Sequence, residues 1–414
     1  MRLAAILAIA LCAAANAVQA GTLVVNANAS DPAPRAAWQA VVDRFAKESP
    51  DVKVELNIYD HESYKKAIRN WLTGSPPDVV FWFAGERMRQ LSQPRLLEDV
   101  SDLFTAEASA AFHPSAIGLV SDRGRQYGVP YTFYQIGLYY RRDILQSAGI
   151  AEPLTWSDLL QACEKLAQRG IEPVAIGTRD LWPAAAWFDY LDLRINGLAF
   201  HMALMDGRVP YTDPRVRAVL AAWNELLARN CFSANHASAS WQESQALLYQ
   251  GKSAMMLIGN YIVPNFPAAV RNRMEFVRFP VVNPAVPPFE EAPMNTLHIP
   301  LRASNKSDAR RFLAFVMRAD VQEEINRATL TIPVNTRAAV ADDRFLVEGR
   351  ELLRNAAGLS QFFDRDTSED LAVIAMKGFQ EFMLHPQRAD AVLAAIERAR
   401  LRIYGPAAEP RGSP

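Results

Sequence analysis

Apolar positions in this chain follow three patterns that take turns: alternation, short unbroken runs, and recurrence at helical spacing. Residues 22–26 form a short apolar run that predicts a strand. A polar loop, NANASDPAPR, follows, with Asp31-Pro32 placed to open a helix. In that helix Trp38, Val41, Val42 and Phe45 fall at i, i+3, i+4 and i+7, one apolar face. Val52, Val54, Leu56 and Ile58 alternate as a strand with one wet side, and Tyr64, Ile68, Trp71 and Leu72 mark a second helix ending at Gly74. Residues 78–83 are then almost wholly apolar between a Pro-Pro turn and Gly85, the pattern of a strand buried on both faces. The order β-α-β-α-β predicts parallel strands with helices on both sides of the sheet.

Further on, YGVPYTFYQIGLYYRRDIL (127–145) reads as two extended pieces joined without a helix, a crossing between domains. TWSDLLQACEKLAQRG predicts a helix with a capping box, Thr155 to Asp158. PVAIG is a strand, and Asp213-Pro214 opens a helix with Val216, Val219, Leu220, Trp223 and Leu227 on one face. SWQESQALLYQGKSAMMLIG pairs a helix with a strand; MEFVRFPVV and TLHIPL are later strands. ARRFLAFVMRADVQEEINRAT predicts one strong helix, and the tail from Ser368 is helical with a break at His385-Pro386. No internal repeat or low-complexity linker interrupts the series.

In open parallel sheets, ligands bind beyond the carboxyl ends of the strands. Two loops become candidates on that ground: residues 26–31, and residues 81–87, where Phe81, Trp82 and Phe83 give way to Gly85, Glu86 and Arg87. Flat apolar rings beside charged hydrogen-bonding groups suit a flat, hydroxyl-rich molecule.

Composition narrows the partners. The chain has 414 residues, half of them hydrophobic and 21% charged, which predicts a soluble protein of two or more domains. A formal net charge of −1 leaves no basic face for nucleic acid. MRLAAILAIALCAAANAVQA reads as a secretory signal (residues 1–20) cut after Ala20, so the protein is expected in the periplasm. Cys12 raises a lipoprotein alternative, against which stands Leu11, where lipid-attachment sites carry a small residue. Cys163 and Cys231 can pair in an oxidising compartment or stay as two buried thiols. The six His are scattered without metal-binding spacing, and no cofactor motif is present. LLYQGKS lacks the first glycine and the glycine-rich turn of a P-loop.

This layout resembles the solute-binding proteins of bacterial ABC importers, in the carbohydrate branch that includes maltodextrin-binding protein. The likeness rests on PPDVVFWFAGERM, VPYTFYQIGLYYRRDIL, LLYQGKSAMMLIGNYI and KSDARRFLAFVMRADVQEEIN, in that order and spacing. It implies a two-lobed periplasmic binding protein fold of the α/β class, with a hinge and a ligand cleft between the lobes. The lobes would be residues 21–131 with 283–332, and 132–282 with 333–414. Crossings would lie near residues 130–135, 281–284 and 332–335.

The resemblance also implies that the chain is no enzyme: a monomer that would bind a mono- or oligosaccharide and hand it to a membrane ABC permease. Trp82 matches the family's aromatic strand end; Glu86 and Arg87 match its acid and Arg if one residue is inserted. Asn28 and Asp31 take the polar positions after the first strand, and Tyr134 stands at the crossing where the relative has a carboxylate. Trp182, before Pro183, resembles the second lobe's stacking stretch. Tyr261 stands where many relatives carry Trp, with Asn260 beside it, and Asn295 and Thr296 could face the cleft. Asp364 is readable as a helix cap or a ligand contact, while Trp187 and Trp241 read as core. The alternatives are a polyamine-binding protein, with Asp31 and Glu86 near Trp82, and an exported glycoside hydrolase, which would need two facing carboxylates.

Overall fold

The computed structural model describes residues 21–406; the sequence features at residues 1–20, the signal and Cys12, lie outside them. Two sheets carry the fold. The first orders six strands as Ile332–Pro333, Val129–Phe133, Met294–His298, Val79–Phe83, Thr22–Asn28 and Lys53–Tyr59. Thr22–Asn28 runs parallel to both of its neighbours. Helices Pro32–Glu48 and His61–Thr73 make the returns that parallel strands need. Each buries the apolar face its spacing predicts: Trp38, Val41, Val42 and Phe45 on one, Tyr64, Ile68 and Leu72 on the other. Val79–Phe83 is buried at every position because it lies between Thr22–Asn28 and the antiparallel Met294–His298.

The second sheet orders Met274–Val277, Ile136–Arg141, Ser253–Gly259 and Glu172–Val174. Separate clusters of buried side chains back the two sheets, around Trp38, Phe81 and Phe312 in one lobe and Leu138, Trp187 and Trp223 in the other. The chain passes between sheets at Tyr134 and Gln135, since Val129–Phe133 pairs in the first and Ile136–Arg141 in the second. Gln135 is fully buried there, its Nε2 donating to Tyr139 Oη at 3.3 Å.

Three features depart from the sequence-based expectations. The first sheet keeps Thr132 and Phe133, which pair with Asn295 and Met294 beyond the boundary expected at 131. Residues 283–291, expected with the first sheet, pack instead on the helix Trp182–Ile195: Phe289–Glu291 runs beside Gly358–Ser360, and Arg194 bonds Phe289 O and, at 2.6 Å, Glu290. The long helix expected from ARRFLAFVM onward is two, Lys306–Met317 and Ala319–Thr329. Arg318 between them is extended (φ −64°, ψ 143°), and its guanidinium holds Glu48 at 2.6 Å and Asp320 at 2.7 Å. Helical spacing continues through the break, so the pattern alone conceals it.

Cys163, in helix Trp156–Ala167, and Cys231 form a disulfide, which decides the pairing that the sequence leaves open. No helix among the described residues is long and apolar enough to cross a membrane.

Candidate ligand site between the lobes

A cavity of ≈ 190 Å³ lies where the two sheets face each other. On the first lobe, Thr22–Asn28 ends at Asn28, whose side-chain amide meets His61 Nδ1 at 3.2 Å. Asp31 is the N-cap of helix Pro32–Glu48, but its carboxylate caps no N–H of that helix. It turns outward and accepts from Asn265 Nδ2 of the other lobe at 3.2 Å. Burial raises the Asp31 carboxyl above its ordinary value, against the Asn265 hydrogen bond. Phe83 ends its strand, and Gly85 follows with φ +75°. A Cβ on Gly85 would come within 3.3 Å of Arg365 O, so a glycine meets two demands there, a left-handed backbone and a close approach.

The second lobe supplies rings packed edge to face: Phe362 on Trp182 (5.7 Å between centroids), Trp182 on Trp241 (5.9 Å), Trp241 on Tyr261 (5.7 Å) and Tyr261 on Tyr134 (5.1 Å). Gly259 makes room for the last pair, since a Cβ there would sit 2.3 Å from the Tyr261 ring. The Trp182 Nε1–H is buried and meets no acceptor among the described residues.

Asp364 and Arg365 complete the wall from the short helix Phe363–Asp366. The Arg365 guanidinium lies 4.0 Å over the Phe83 ring and donates to Tyr134 Oη at 2.8 Å and to Asn295 Oδ1 at 3.2 Å. Lys65 Nζ stands 3.6 Å from Asp364. Burial opposes charging Asp364, but Lys65, Arg87 and Arg365 overcome it and hold the carboxyl below its ordinary range. His61 moves the other way: burial, with Lys65 and Arg365 nearby, keeps its imidazole neutral well below its ordinary value. The formally charged side chains of the lining are Asp31 and Asp364 against Lys65 and Arg365, a balanced set.

Of the residues expected at the site, Asn28, Asp31, Trp82, Tyr134, Trp182, Tyr261 and Asn295 line this cavity. Three expected residues do not. Glu86, in the first turn of helix Glu86–Ser92, is paired with Arg89 at 2.8 Å and lies outside the lining. Arg87 is buried behind Trp82, its guanidinium 5.0 Å from that ring and 3.3 Å from Glu369. Both lie in the first turn of helix Glu86–Ser92, which directs them away from the cavity lining. Asn260 is fully buried and spends its amide on Leu330 O at 2.6 Å. Thr296 also turns away, bonded to His298 Nε2 at 2.6 Å, as its neighbour Asn295 takes the cavity face. Trp187 is core; Trp241 is 5% exposed and yet lines the cavity, so its two surfaces serve both roles. The sequence reading passes over Arg365, His61 and Lys65. For Arg365 the only signal is the charge pair inside QFFDRD, and nothing local aims it at Tyr134, 231 residues upstream.

Two lobes hinged about such a cavity define a class of protein, a binding protein that encloses its ligand between domains. Residues 28–323 match the family model described as bacterial extracellular solute-binding protein. The chain belongs to that family: it is an extracellular solute-binding protein of an ABC transporter, a carrier and not an enzyme. It is 25% identical over 305 residues to an uncharacterised ABC transporter extracellular-binding protein of Pyrococcus horikoshii, covering 72% of this chain and 68% of that one. Its fold matches the bacterial solute receptor AcbH, which is described as exclusively preferring β-D-galactopyranose, with a TM-score of 0.88 and 27% identity over 92% of this chain and 99% of that one. A chitin oligosaccharide binding protein shares the fold at a TM-score of 0.84 and 18% identity, covering 93% and 99% of the two chains.

Proposed function

We propose that this protein captures a carbohydrate as a single pyranose ring in the interlobe cavity, working as a monomer in the periplasm and delivering the sugar to a membrane ABC permease. One observation carries the reading: a small cavity between the lobes walled by rings on both of them, with its formally charged side chains in balance. At ≈ 190 Å³ the space falls below the roughly 300–1,000 Å³ of pockets that take drug-sized ligands, which favours one ring over a chain of them. Trp182, Trp241 and Tyr261 offer surfaces for the C–H faces of a pyranose, and Asn28, Asp31, Asp364 and Arg365 offer partners for its hydroxyls. A polyamine would meet Lys65 and Arg365 in the wall, and its charge would go unanswered by a balanced lining. Relatives and structural neighbours with sugar ligands support the same reading.

Capture works by closure. The lobes, with residues 129–133, 294–298 and 332–333 in the first, pivot about Tyr134–Gln135 and the returning strands. Charged contacts span the rim: Arg69 and Arg87 of the first lobe meet Glu369 of the second at 2.9 and 3.3 Å. A thermal-shift panel of the mature chain with monosaccharides, oligosaccharides, acidic sugars and polyamines tests the reading. A ligand at 100 times its dissociation constant adds about 2.7 kcal/mol. Stabilisation by one or more pyranoses supports it; response to oligosaccharides or polyamines alone refutes it.

A further inference from the structure

Beneath the turn that carries Asp364 and Arg365 lies a group of buried acids that no ligand reaches. The turn is held from both ends. Phe363 N–H donates to Asp189 Oδ2 at 2.8 Å, from helix Trp182–Ile195, and Gln361 N–H donates to Asp366 Oδ2 at 2.8 Å. Asp189 does not sit alone. His201 places Nδ1 2.9 Å from Asp192 Oδ2 and Nε2 4.0 Å from Asp189 Oδ1. Glu291 lies within hydrogen-bonding reach of Asp189. Neither its two carboxyl oxygens nor Asp189 Oδ1 meets an N–H or hydroxyl donor among the described residues. Two facing carboxyl groups so placed need a proton between them.

Charge counting gives the same answer. Asp189, Asp192 and Asp366 surround one imidazole, and Glu291 faces Asp189 and Asp366; all of them are buried. Neighbouring Glu290 is already answered by Arg194 at 2.6 Å, with Arg278 nearby. Arg89 and Asp206, which also face Asp366, oppose each other in sign. Tyr190 and Tyr211, packed against the same acids, stay neutral because burial raises both hydroxyls. Fully ionised, the group would hold several uncompensated negative charges in the core, which burial does not permit.

We propose that Asp189 is a positioning residue for the ligand site: sharing a proton with Glu291, it holds the turn that presents Asp364 and Arg365, and loss of that proton releases the turn and weakens ligand binding. The inference rests on the cleft reading above. Burial raises both carboxyls of the pair and lifts Asp366 to about 6; His201 is raised as well, its carboxylate neighbours overcoming burial. The sign follows. Acids with raised native values bind more protons folded than unfolded, so their stabilising effect is full only below the unfolded carboxyl values of about pH 4 and is lost as pH rises through the native values.

The test pairs a binding titration with hydrogen exchange at the Phe363 amide, on the mature chain, its Asp189→Asn variant and its Glu291→Gln variant. The Asp189→Asn side chain keeps an acceptor for Phe363 N–H, and the amide of either variant supplies the missing hydrogen without titrating. The probes are D-galactose, D-glucose and D-xylose. For the native chain, the dissociation constant of the sugar that binds best should rise about tenfold from pH 6 to pH 8.5, the change given by a difference of about one pH unit in the pair's titration between free and liganded protein. Protection of the Phe363 amide, corrected for intrinsic exchange, should fall over the same range. Both variants should flatten both profiles; if one fails to fold, the other decides. A flat native profile, or variants that keep the native slope, overturns the proposal. A slope in exchange without one in affinity also overturns it, reducing Asp189 to a structural role. If no sugar binds, the pyranose reading falls, while exchange in the ligand-free protein still decides whether the acids hold the turn.

Discussion

Replacing Arg365 by Met keeps most of the side-chain length and removes the guanidinium. In the native site that group donates to Tyr134 Oη and Asn295 Oδ1 and lies 4.0 Å over Phe83, tying the second lobe to the first lobe's strand ends. Each hydrogen bond to a charged group is worth about 1.5–3 kcal/mol. A desolvated cation–π contact adds about 2 kcal/mol. The gross loss is therefore about 5–8 kcal/mol, but the open form hydrates the same groups and methionine restores part of the apolar contact. A net penalty of about 3 kcal/mol on the closed, liganded state is the working figure, or a dissociation constant raised about 150-fold. Calorimetric titration with the sugar that shifts melting most measures it. Far-UV circular dichroism and the ligand-free melting temperature show whether the variant has folded. A folded variant within about threefold of native affinity refutes the assignment of Arg365 as the bridge across the cavity, for such a change is about 0.7 kcal/mol.

Other substitutions probe the rest of the site. Trp182→Ala removes a ring from the cavity wall, and should weaken sugar binding by about 1–2 kcal/mol with the fold retained; titration reads it. Glu369→Gln leaves Arg87 buried without its carboxylate and should weaken affinity about fivefold, with X-ray scattering showing a larger share of open molecules at sub-saturating sugar. Glu86→Ala, at a side chain outside the cavity, should leave affinity unchanged within error, and a large loss would return Glu86 to the site. Cys231→Ser removes a bridge across 68 residues, worth about 4 kcal/mol in the chain-entropy treatment, and should lower the midpoint of chemical unfolding of the second lobe without altering the sugar preference.

What the chain shows locally carried far. The β-α-β-α-β opening, the buried strand at residues 79–83 and the capping box at Thr155 each rest on neighbours a few residues apart. Such order is readable because hydrophobic period and cap chemistry act at short range. Asn28, Asp31 and Trp82 were legible for the same reason, being strand-end residues of a parallel sheet. Arg87 shows the limit. Its position after the aromatic strand end suggested a ligand contact, yet in the fold it lies behind Trp82 and meets Glu369, a residue almost three hundred positions later.

By itself the sequence determined the class: an α/β chain in two lobes, with a crossing expected within residues 130–135 and aromatic and polar residues at strand ends. Tertiary structure alone decided which side chains share the cavity, because Arg365 meets Asn295, Tyr134 and Phe83 only after the chain has crossed between the lobes and returned. It also decided that Cys163 and Cys231 pair, and that Asp189 and Glu291 face each other. Contacts of that kind join residues from about seventy to about two hundred and eighty positions apart, and their geometry is set by the packing of whole elements rather than by any pattern within one of them.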